Sequence, residues 1–504
     1  MAPDDVDVLI VGAGLSGVGA AVHLQRNSPG RTYAILESRE SIGGTWDLFR
    51  YPGIRSDSDM YTLGYSFRPW TNEKSIADGD DILEYVRSTA REHGVDRHIR
   101  FGHRVAHAAW SSEEARWTVT SELSDGGTAT IRARFLFSCS GYYDYDSGYS
   151  PEFPGTERFT GAGGQLVHPQ LWDPETDWTG KRVVVIGSGA TAVTLVPAMA
   201  EKADHVTMLQ RSPSYVITLP AKDPVANFLN KVLPTKAAYA AIRWFKVLTT
   251  MAQYQLSRSR PKLMRKLLRF GVKRQLPEDY EIDEHFNPTY DPWDQRLCMV
   301  PDGDLFRALR HGDASIVTDR IKTFTETGLE LESGDTLEAD IVISATGLNL
   351  RVFGGIDMSV DGEPVSLPDT LSYKGMMLEG VPNMAYAIGY TNASWTLKCD
   401  LTCEYVCRVL NHMQAGGFDA ATPVNDDPGI GREPILDFAS GYVQRSIHLF
   451  PKQGTREPWK LHQNYVRDTF LVKRGELEDG SLLFTRLPET GRPGESRAVV
   501  ASAG

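Results

Sequence analysis

The sequence predicts an α/β protein built from two parallel-sheet units, one inserted into the other, together with a helical subdomain. Two observations carry this prediction. A glycine-rich turn occurs twice, each time between two apolar runs, and two later apolar runs end on small residues and glycine. Continuous apolar runs are typical of strands that are buried on both faces of a parallel sheet. Each unit is therefore expected to be Rossmann-like.

The first glycine turn follows the apolar run at residues 8–11. It reads Gly12-Ala13-Gly14-Leu15-Ser16-Gly17, and it precedes a predicted helix at about 18–24 and a predicted strand at 33–36. The three glycines suit a tight turn, a close approach of pyrophosphate to the backbone, and packing of the helix on the strand. The strand ends at Glu37, which can accept hydrogen bonds from ribose hydroxyls. This unit is predicted to bind an adenine dinucleotide at the amino terminus of the helix.

The second glycine turn follows the run at residues 183–186. It reads Gly187-Ser188-Gly189-Ala190-Thr191-Ala192, with a predicted helix to about 202 and a strand at 206–209. This strand ends on Gln210-Arg211-Ser212, where no acid is present. A carboxylate at this place would repel a ribose 2′-phosphate, whereas arginine can pair with one. The second unit is therefore predicted to bind NADP.

The positions of the two later runs predict how the chain passes between the units. The runs at 135–137 and 341–343 end on Ser138-Cys139-Ser140-Gly141 and Ser344-Ala345-Thr346-Gly347. We expect a first domain at 1–145 and 350–504 that encloses a second at 146–349. A helix-forming, positively charged stretch at about 222–290 predicts a solvated helical subdomain, which is favoured over an interfacial amphipathic helix. The segment at about 487–504 is expected to be a loose tail.

Composition excludes several classes of protein. Lys and Arg number 53 and Asp and Glu 65, a net charge of −12, which argues against binding nucleic acid through phosphate neutralisation. No apolar run is long enough to span a bilayer, and the acidic amino terminus is unlike a signal peptide. Five cysteines in a chain of this size indicate a reduced, cytoplasmic protein. The oligomeric state is left open.

Three of the cysteines share one predicted helical face but do not predict a metal site. Cys399, Cys403 and Cys407 are spaced at four-residue intervals without a neighbouring pair of ligands, so we interpret them as small buried side chains and predict no bound metal. A flavin disulfide reductase needs a cysteine pair just after Gly43-Gly44, and the first cysteine in the chain is Cys139. That class is therefore excluded.

The stretch after the first unit carries a family resemblance. It reads Gly43-Gly44-Thr45-Trp46-Asp47-Leu48-Phe49-Arg50-Tyr51-Pro52-Gly53-Ile54-Arg55-Ser56-Asp57. With the second glycine turn and Ala345-Thr346-Gly347, it resembles the class B flavoprotein monooxygenases. Within them the chain is most similar to the Baeyer–Villiger monooxygenases of the ethionamide-activating type. The resemblance extends over about residues 6–484.

One part of the Baeyer–Villiger signature departs from its usual spacing. The signature is F-x-G-x-x-x-H-x-x-x-W-[P/D], and here three extra residues separate Phe159-Thr160-Gly161 from His168. The end of the signature, Trp172-Asp173, is intact, whereas the related flavin N- and S-oxygenases carry tyrosine in place of this tryptophan. We expect the extra residues to lengthen a surface loop, and we expect His168 to have a positioning role.

The resemblance implies FAD in the first unit, NADPH in the second and O₂ as co-substrate. It assigns FAD contacts to Ser16, Glu37, Gly44, Thr45, Trp46, Asp47, Leu48 and Val105. It assigns contacts with both cofactors to Arg55, Ser56 and Asp57. It assigns NADP contacts to Gly187, Ser188, Gly189, Ala190, Thr191, Ala192, Val193, Arg211 and Ser212. Trp395 is expected either to shape the substrate pocket or to be an ordinary core aromatic.

The implied reaction is oxygen insertion beside a ketone carbonyl through a C4a-peroxyflavin, which gives esters or lactones. Keeping that peroxide anionic requires a fixed positive charge, and the resemblance points to Arg296, oriented by Asp57. Sulfides are expected to be oxidised as well. Two alternatives stay open: an enzyme that mainly oxygenates sulfur or nitrogen, and a dinucleotide-binding regulator without turnover. The natural ketone or sulfide is not predicted, because pocket shape is set by loops.

Overall fold

Two sheets with parallel strands organise the chain, which a computed structural model describes over residues 4–295, 297–436 and 439–487. The first sheet has a parallel part and an antiparallel extension. Its parallel strands, in spatial order, are Ile99–Arg100, Tyr33–Leu36, Asp5–Val11, Thr128–Ser138 and Met384–Tyr386. The extension adds Arg116–Leu123, His103–Ser111, Asp357–Val360 and Glu363–Pro364, and the strands Ser372–Tyr373 and Met377–Leu378 join it beside Met384–Tyr386.

The second sheet is parallel throughout. Its strands, in spatial order, are Ala314–Thr318, His205–Gln210, Arg182–Ile186, Ile341–Ser344 and Gln165–Val167. Each glycine turn therefore follows an interior strand of its sheet, with the next strand of the chain paired in parallel beside it. This arrangement confirms the predicted α/β fold class with two Rossmann-like units.

A two-stranded ribbon is formed by the two segments of the chain that connect one sheet with the other. Tyr143–Gly148 pairs antiparallel with Leu348–Leu350. We propose this ribbon as the junction of the domains predicted at 1–145 with 350–504 and at 146–349. Smaller strand groups are Val216–Leu219 with Cys298–Pro301, Ile321–Phe324 with Gly328–Leu331 and Thr336–Glu338, Ala420–Pro423 with Leu482–Thr485, and Arg432–Pro434 with Lys452–Gly454.

Helices flank the sheets and form the predicted helical stretch. Within 222–290 the helices are Pro224–Val232, Thr235–Ser259, Pro261–Lys273 and Ile282–His285. Elsewhere they are Leu15–Asn27, Thr45–Leu48, Met60–Leu63, Gly79–Glu92, Thr156–Gly161, Ala190–Ala200, Asp304–His311, Trp395–Gly416, Gly441–Ser446 and Tyr465–Arg474. Short 3₁₀ turns occur at Val95–His98, Pro169–Leu171, Val352–Gly355, Leu367–Asp369 and Ile447–Leu449. In the part of the chain that the structure describes, no helix has both the length and the apolarity to cross a bilayer. The predicted tail at 487–504 lies outside the described residues except for Leu487.

The first strand shows why the sheet is central to the core. Val8 and Ile10 pack into the apolar cluster on one face of the sheet, while Leu9 and Val11 pack into a second cluster on the other face. Successive strand residues point to opposite faces, so a fully apolar strand is stable only when both faces are covered. The continuous apolar runs in the sequence thus have the structural role predicted for them.

The cysteines on the Trp395–Gly416 helix are buried free thiols, as predicted. Cys399, Cys403 and Cys407 are each about 2% exposed. Burial raises the pKa of Cys399 to about 12 and that of Cys407 to about 11. Both thiols are therefore protonated at neutral pH and are poor nucleophiles.

A buried charge network ties the helical subdomain to the first unit. Arg243, on Thr235–Ser259, donates to the Asp400 carboxylate at 3.1 Å and to the carbonyl of Gly64 at 2.7 Å. A ring nitrogen of His23 lies 3.1 Å from the same carboxylate. Burial acts to raise the pKa of Asp400, but His23 and Arg243 hold it below its usual value.

We expect Asp400→Asn to destabilise the protein by about 3–5 kcal/mol, because the substitution leaves the buried Arg243 charge unpaired. Since the folded-state pKa of Asp400 is depressed, its contribution is present at neutral pH and is lost as the pH falls below about 4. Chemical unfolding measures the loss of stability in this variant. The control is Glu84→Gln, which breaks an exposed ion pair with Arg91. Equal losses of about 1 kcal/mol or less in both variants would contradict the stabilising role.

Candidate functional site

The first glycine turn brings the end of one strand against its neighbour. Gly12 has φ +100°, and a Cβ there would lie 2.7 Å from the carbonyl oxygen of Cys139 on the adjoining chain segment. A Cβ on Gly17 would overlap the Gly12 carbonyl oxygen. Gly14 precedes the Leu15–Asn27 helix and offers no side chain to cap it. The first N–H groups of this helix are thus free to bind an anion.

Glu37 closes the same turn from the end of the next strand. Its carboxylate accepts hydrogen bonds from the backbone N–H of Ala13 at 2.7 Å and of Arg39 at 2.9 Å. Burial raises the pKa of Glu37 in spite of these bonds. Glu37 lines a cavity that both glycine turns border, which we call the main cavity. The predicted ribose-binding carboxylate therefore lies beside the predicted pyrophosphate-binding turn.

We expect Glu37→Gln to weaken FAD binding by about 10–100-fold. An amide has one acceptor oxygen, so its NH₂ group must face one of the two backbone N–H donors, which costs about 1–3 kcal/mol in a buried site. Flavin release from the holoenzyme, followed by fluorescence, measures the change. Glu40→Gln, an exposed acid three residues along, is the matched control, and equal flavin retention in both variants would contradict the assignment.

A second backbone segment faces the first turn across a narrow gap. Gly44 has φ +56°, and a Cβ on it would lie 3.0 Å from the Gly14 Cα. Thr45 and Trp46 continue along the cavity wall. The Tyr145 side chain bonds to Thr45, and burial raises the pKa of this tyrosine to about 12. Two glycines therefore form a cradle that any larger residue would fill.

The Asp47 side chain lies behind the cavity wall, and its predicted FAD contact stays a prediction. Its carboxylate is about 1% exposed and does not line the cavity. It pairs with Arg39 at 2.6 Å, Arg87 at 2.9 Å and Arg50 at 3.2 Å. Leu48 is also absent from the cavity wall. The single helical turn Thr45–Leu48 directs both side chains away from the cavity, so Asp47 holds the loop rather than lining the site.

The second glycine turn repeats the geometry of the first. Gly187 has φ +137°, and a Cβ there would lie 2.5 Å from the Ala345 carbonyl oxygen. The contact corresponds to that of Gly12 with the Cys139 carbonyl oxygen in the first turn. Gly189 has open space around it and precedes the Ala190–Ala200 helix. Ala190 and Thr191 line the main cavity. The buried side chains of Ala192 and Val193 point into the core instead.

Arg211 and Ser212 lie beside this turn but outside the main cavity. Both are exposed, and the hydroxyl of Ser188 donates to the Ser212 carbonyl at 2.9 Å. Among the described residues, no hydrogen bond or ion pair engages the Arg211 guanidinium. An exposed, unengaged arginine next to a helix amino terminus suits a 2′-phosphate.

The loop at 51–57 joins the two units. Gly53 packs so closely on the Ala190–Ala200 helix that a Cβ would lie 2.7 Å from the Ala198 Cβ. The Tyr51 side chain bonds to Thr191, and burial raises the pKa of Tyr51 to about 12. Arg55 pairs with Asp304 of the second unit. This loop is therefore fixed to the second unit while it forms a wall of the cavity.

The three predicted residues of this loop lie together. Arg55, Ser56 and Asp57 all line the main cavity. Ser56 is buried, and its hydroxyl accepts from the Ala77 N–H at 3.1 Å. The Nη2 atom of Arg55 is buried without a hydrogen-bond partner among the described residues. An unsatisfied guanidinium nitrogen at a cavity wall indicates a ligand acceptor that is not part of the protein.

Sequence reasoning missed the partners of this loop. Asp304 is 249 positions from Arg55, and its only sequence signal is a carboxylate in the first turn of a helix, which also suits the helix dipole. Tyr51, which belongs to the loop itself, and Tyr145, which bonds to Thr45, carried no signal beyond their place in or near the motifs.

Trp395 and Val105 complete the wall near the first turn. The indole N–H of Trp395 donates to the Ser16 hydroxyl at 2.9 Å, and its ring centroid lies 5.3 Å from that of Tyr142. Both Trp395 and Val105 line the cavity. Trp395 thus belongs to the pocket wall and also packs against the core.

Arg296 lies outside the described residues, so its predicted role stays a prediction. The chain after it is described. Leu297 packs with Tyr215 and Tyr290, and Met299 lines the main cavity. The segment that carries Arg296 therefore reaches the cavity within three residues of it.

His168 lies against the ribbon rather than in the main cavity. Its Nε2 is 3.3 Å from the Gly347 carbonyl oxygen, and its Nδ1 accepts from the Gln170 N–H at 3.2 Å. A Cβ on Gly148 would overlap the imidazole ring. Burial lowers the pKa of His168, so it is neutral at physiological pH. These contacts suit the positioning role expected from the sequence.

The main cavity connects the two units. It encloses about 370 Å³ and is lined by the first turn, the Gly43–Trp46 stretch, the loop at 51–57, the start of the Ala190–Ala200 helix and Met299. A volume of this size suits a small-molecule site. One cavity thus brings the amino termini of both glycine-turn helices to a common space.

Comparison with known proteins agrees with this geometry. A family model described as flavin-binding monooxygenase-like matches residues 5–361. The chain is 56% identical over 486 residues to the FAD-containing monooxygenase EthA of Mycobacterium tuberculosis (strain H37Rv), a match that covers 96% of this chain and 99% of that relative. It is 53% identical over 481 residues to the EthA of Mycolicibacterium smegmatis, covering 95% and 97%.

A solved structure described as oxidized steroid monooxygenase bound to NADP has a similar fold. The TM-score is 0.75 at 21% sequence identity, and the match covers 96% of this chain and 100% of that one. At this identity the likeness supports the fold alone.

Proposed function

The chain belongs to the flavin-binding monooxygenase-like family, and from this premise we propose that it is an NADPH- and O₂-dependent FAD monooxygenase that converts ketones to esters or lactones. The family resemblance stated from residues 43–57 is confirmed, and the chain is a flavin-dependent monooxygenase. The observation that supports joint action of two cofactors is the cavity shared by both glycine turns and the loop at 51–57, and the choice of ketones rests on the family resemblance.

The residues present fit both cofactors. The Gly14–Gly44 cradle leaves backbone rather than side chain at the place of a pyrophosphate, and Glu37 stands at the place of the ribose. In the second unit, Gly189 leaves open space and Arg211 is unengaged by described residues. We propose FAD at the first turn and NADPH at the second. When bound, they supply hydride transfer and oxygen activation.

The chain's own residues orient and enclose this chemistry. The Arg55–Asp304 pair and the Tyr51–Thr191 hydrogen bond fix the loop between the two nucleotide sites. Such fixing helps to place the two cofactor sites beside each other, and hydride transfer requires a close, aligned approach of donor and acceptor. Trp395 closes the wall above Ser16 and limits access of water to the cavity.

We further propose Arg296 as the catalytic cation and Asp57 as the residue that orients it. Oxygen transfer to a ketone requires a nucleophilic oxidant, so negative charge must be stabilised beside the reacting carbonyl. Arginine stays cationic at every working pH and offers several donors. Asp57 lines the cavity, and the segment after Arg296 reaches the same cavity at Met299.

The second candidate function is oxygenation of sulfur or nitrogen as the main activity. The EthA relatives are FAD-containing monooxygenases, a description that fits this function as well as the first. Transfer to sulfur requires an electrophilic, protonated oxidant, and the two reactions therefore differ in their dependence on pH.

Product analysis on a ketone and a sulfide across pH separates the two functions. We expect both ester and sulfoxide, with the ratio of ester to sulfoxide rising as the pH rises. Sulfoxide without ester at every pH would assign the chain to the second function. Absence of any oxygen-dependent NADPH consumption in flavin-loaded protein would instead support a regulator without turnover.

A further inference from the structure

The helical stretch at 222–274 has a charge unlike the rest of the chain. It contains thirteen Lys and Arg residues and one Asp, although the whole chain carries −12. On the Pro261–Lys273 helix, Arg265 pairs with Asp291 and Arg269 pairs with Asp283 of the Ile282–His285 helix. Lys262, Lys266 and Lys273 are exposed and form no ion pair with any described residue. Much of this positive charge is therefore uncompensated.

The Pro261–Lys273 helix also has two apolar faces. Met264, Leu268 and Val272 are buried against the second unit. Leu263, Leu267 and Phe270 lie on another face and are 44–56% exposed. One apolar stripe is sufficient to hold a surface helix on its domain, so the second stripe is not needed to attach this helix.

The two preceding helices extend this exposed apolar surface. The middle helix, Thr235–Ser259, contacts both Pro224–Val232 and Pro261–Lys273. Their further exposed apolar residues are Val225, Phe228, Val232, Trp244, Phe245, Leu248 and Leu256. We call these residues, with Leu263, Leu267, Phe270 and the three unpaired lysines, the helical surface.

We propose that the helical surface binds a bilayer that contains anionic lipid, with its helices lying in the plane of the interface. Lys and Arg beside Trp, Phe and Leu on surface helices are the pattern of interfacial binding. The lysine ammonium groups are complementary to anionic headgroups, and their long stems allow the apolar stripe between them to enter the acyl boundary. The pattern is present on a stretch whose excess positive charge contrasts with the net charge of −12 of the whole chain.

A second copy of the chain is a poorer occupant. In a two-fold dimer the same patch meets itself, and two helical surfaces would bring their unpaired lysines together.

Membrane binding also places the cavity near lipid, because Val247 of the Thr235–Ser259 helix packs on Tyr390, which lines the main cavity. The proposal itself does not depend on the reaction proposed above.

Flotation of the FAD-loaded enzyme with vesicles tests the proposal. Phosphatidylcholine vesicles are compared with vesicles of phosphatidylcholine and phosphatidylglycerol, at low and high salt. We expect binding to the anionic vesicles, at least about tenfold weaker binding to the neutral ones, and a fall in binding as salt rises. Hydrogen exchange should slow at 224–274 in the bound state.

Two triple variants separate charge from apolar contact. Lys262→Gln with Lys266→Gln and Lys273→Gln removes unpaired charge, and Leu263→Ala with Leu267→Ala and Phe270→Ala removes the exposed stripe. Each should lower binding to anionic vesicles by at least about tenfold while turnover of a water-soluble substrate is unchanged. The controls make matched changes elsewhere on the exposed surface: Arg158→Gln with Lys181→Gln and Lys202→Gln, and Leu449→Ala with Phe470→Ala and Leu483→Ala.

Three results would overturn the proposal. The first is wild-type enzyme that floats with neither vesicle. The second is test and control variants that bind alike. The third is a dimer, insensitive to vesicles, that dissociates when the exposed stripe is removed, which would assign the helical surface to a second copy of the chain.

Discussion

Replacing Arg296 with alanine is expected to lower ester formation by about 10²–10³-fold, while NADPH still reduces the flavin at a near wild-type rate. The reason is that the proposed cation stabilises negative charge only during oxygen transfer, and hydride transfer from NADPH does not develop that charge. Stopped-flow reduction under anaerobic conditions and product analysis under air measure the two steps separately.

The control for this variant is Arg258→Ala. Arg258 is an exposed arginine that pairs with Asp294, two positions before Arg296, so its loss changes local charge without touching the cavity. Both steps should be retained in that control. An equal loss of reduction and ester formation in Arg296→Ala would refute the assigned role, since it would indicate damage to cofactor binding rather than to oxygen transfer.

The second large effect is expected for Gly17→Ala, which should abolish FAD binding and destabilise the first unit. A methyl group at this position would overlap the Gly12 carbonyl oxygen, so either the helix or the turn must move. Movement of either one displaces the cradle formed by Gly14 and Gly44. Flavin content after purification and chemical unfolding report the two consequences.

Gly271→Ala is the matched control, because Gly271 also lies in a helix but has no neighbouring atom within 4 Å of the place that a Cβ would take. There alanine should be neutral or stabilising by up to about 1 kcal/mol, since it has the higher helix propensity. Flavin loading of Gly17→Ala at the level of this control would show that the close contact between helix and strand is not needed for the site.

The sequence predicted the parts of the site that depend on local backbone geometry. Gly12 and Gly187 were assigned to tight turns from spacing alone, and each meets a carbonyl on the neighbouring strand. Glu37 was predictable for the same reason, because the end of a parallel strand beside the glycine turn fixes where its side chain can lie.

The parts that were missed are side-chain pairs that motif spacing does not predict. The three arginines that pair with the Asp47 carboxylate were not predicted, and the FAD contact expected of Asp47 stays a prediction. Asp304 was not predicted at all, because its partner Arg55 belongs to the other unit. The Arg55–Asp304 pair is set by how the two units pack, and spacing within a motif carries no information about that packing.

We propose that FAD and NADPH act together in this chain to place one atom of dioxygen in an organic product. The most direct test is turnover with NADPH and a ketone under ¹⁸O₂, followed by mass spectrometry of the product. We predict an ester or lactone that carries one labelled oxygen, formed only when NADPH is present. An unlabelled product, or NADPH consumed without any oxygenated product from ketones and sulfides, would contradict the account.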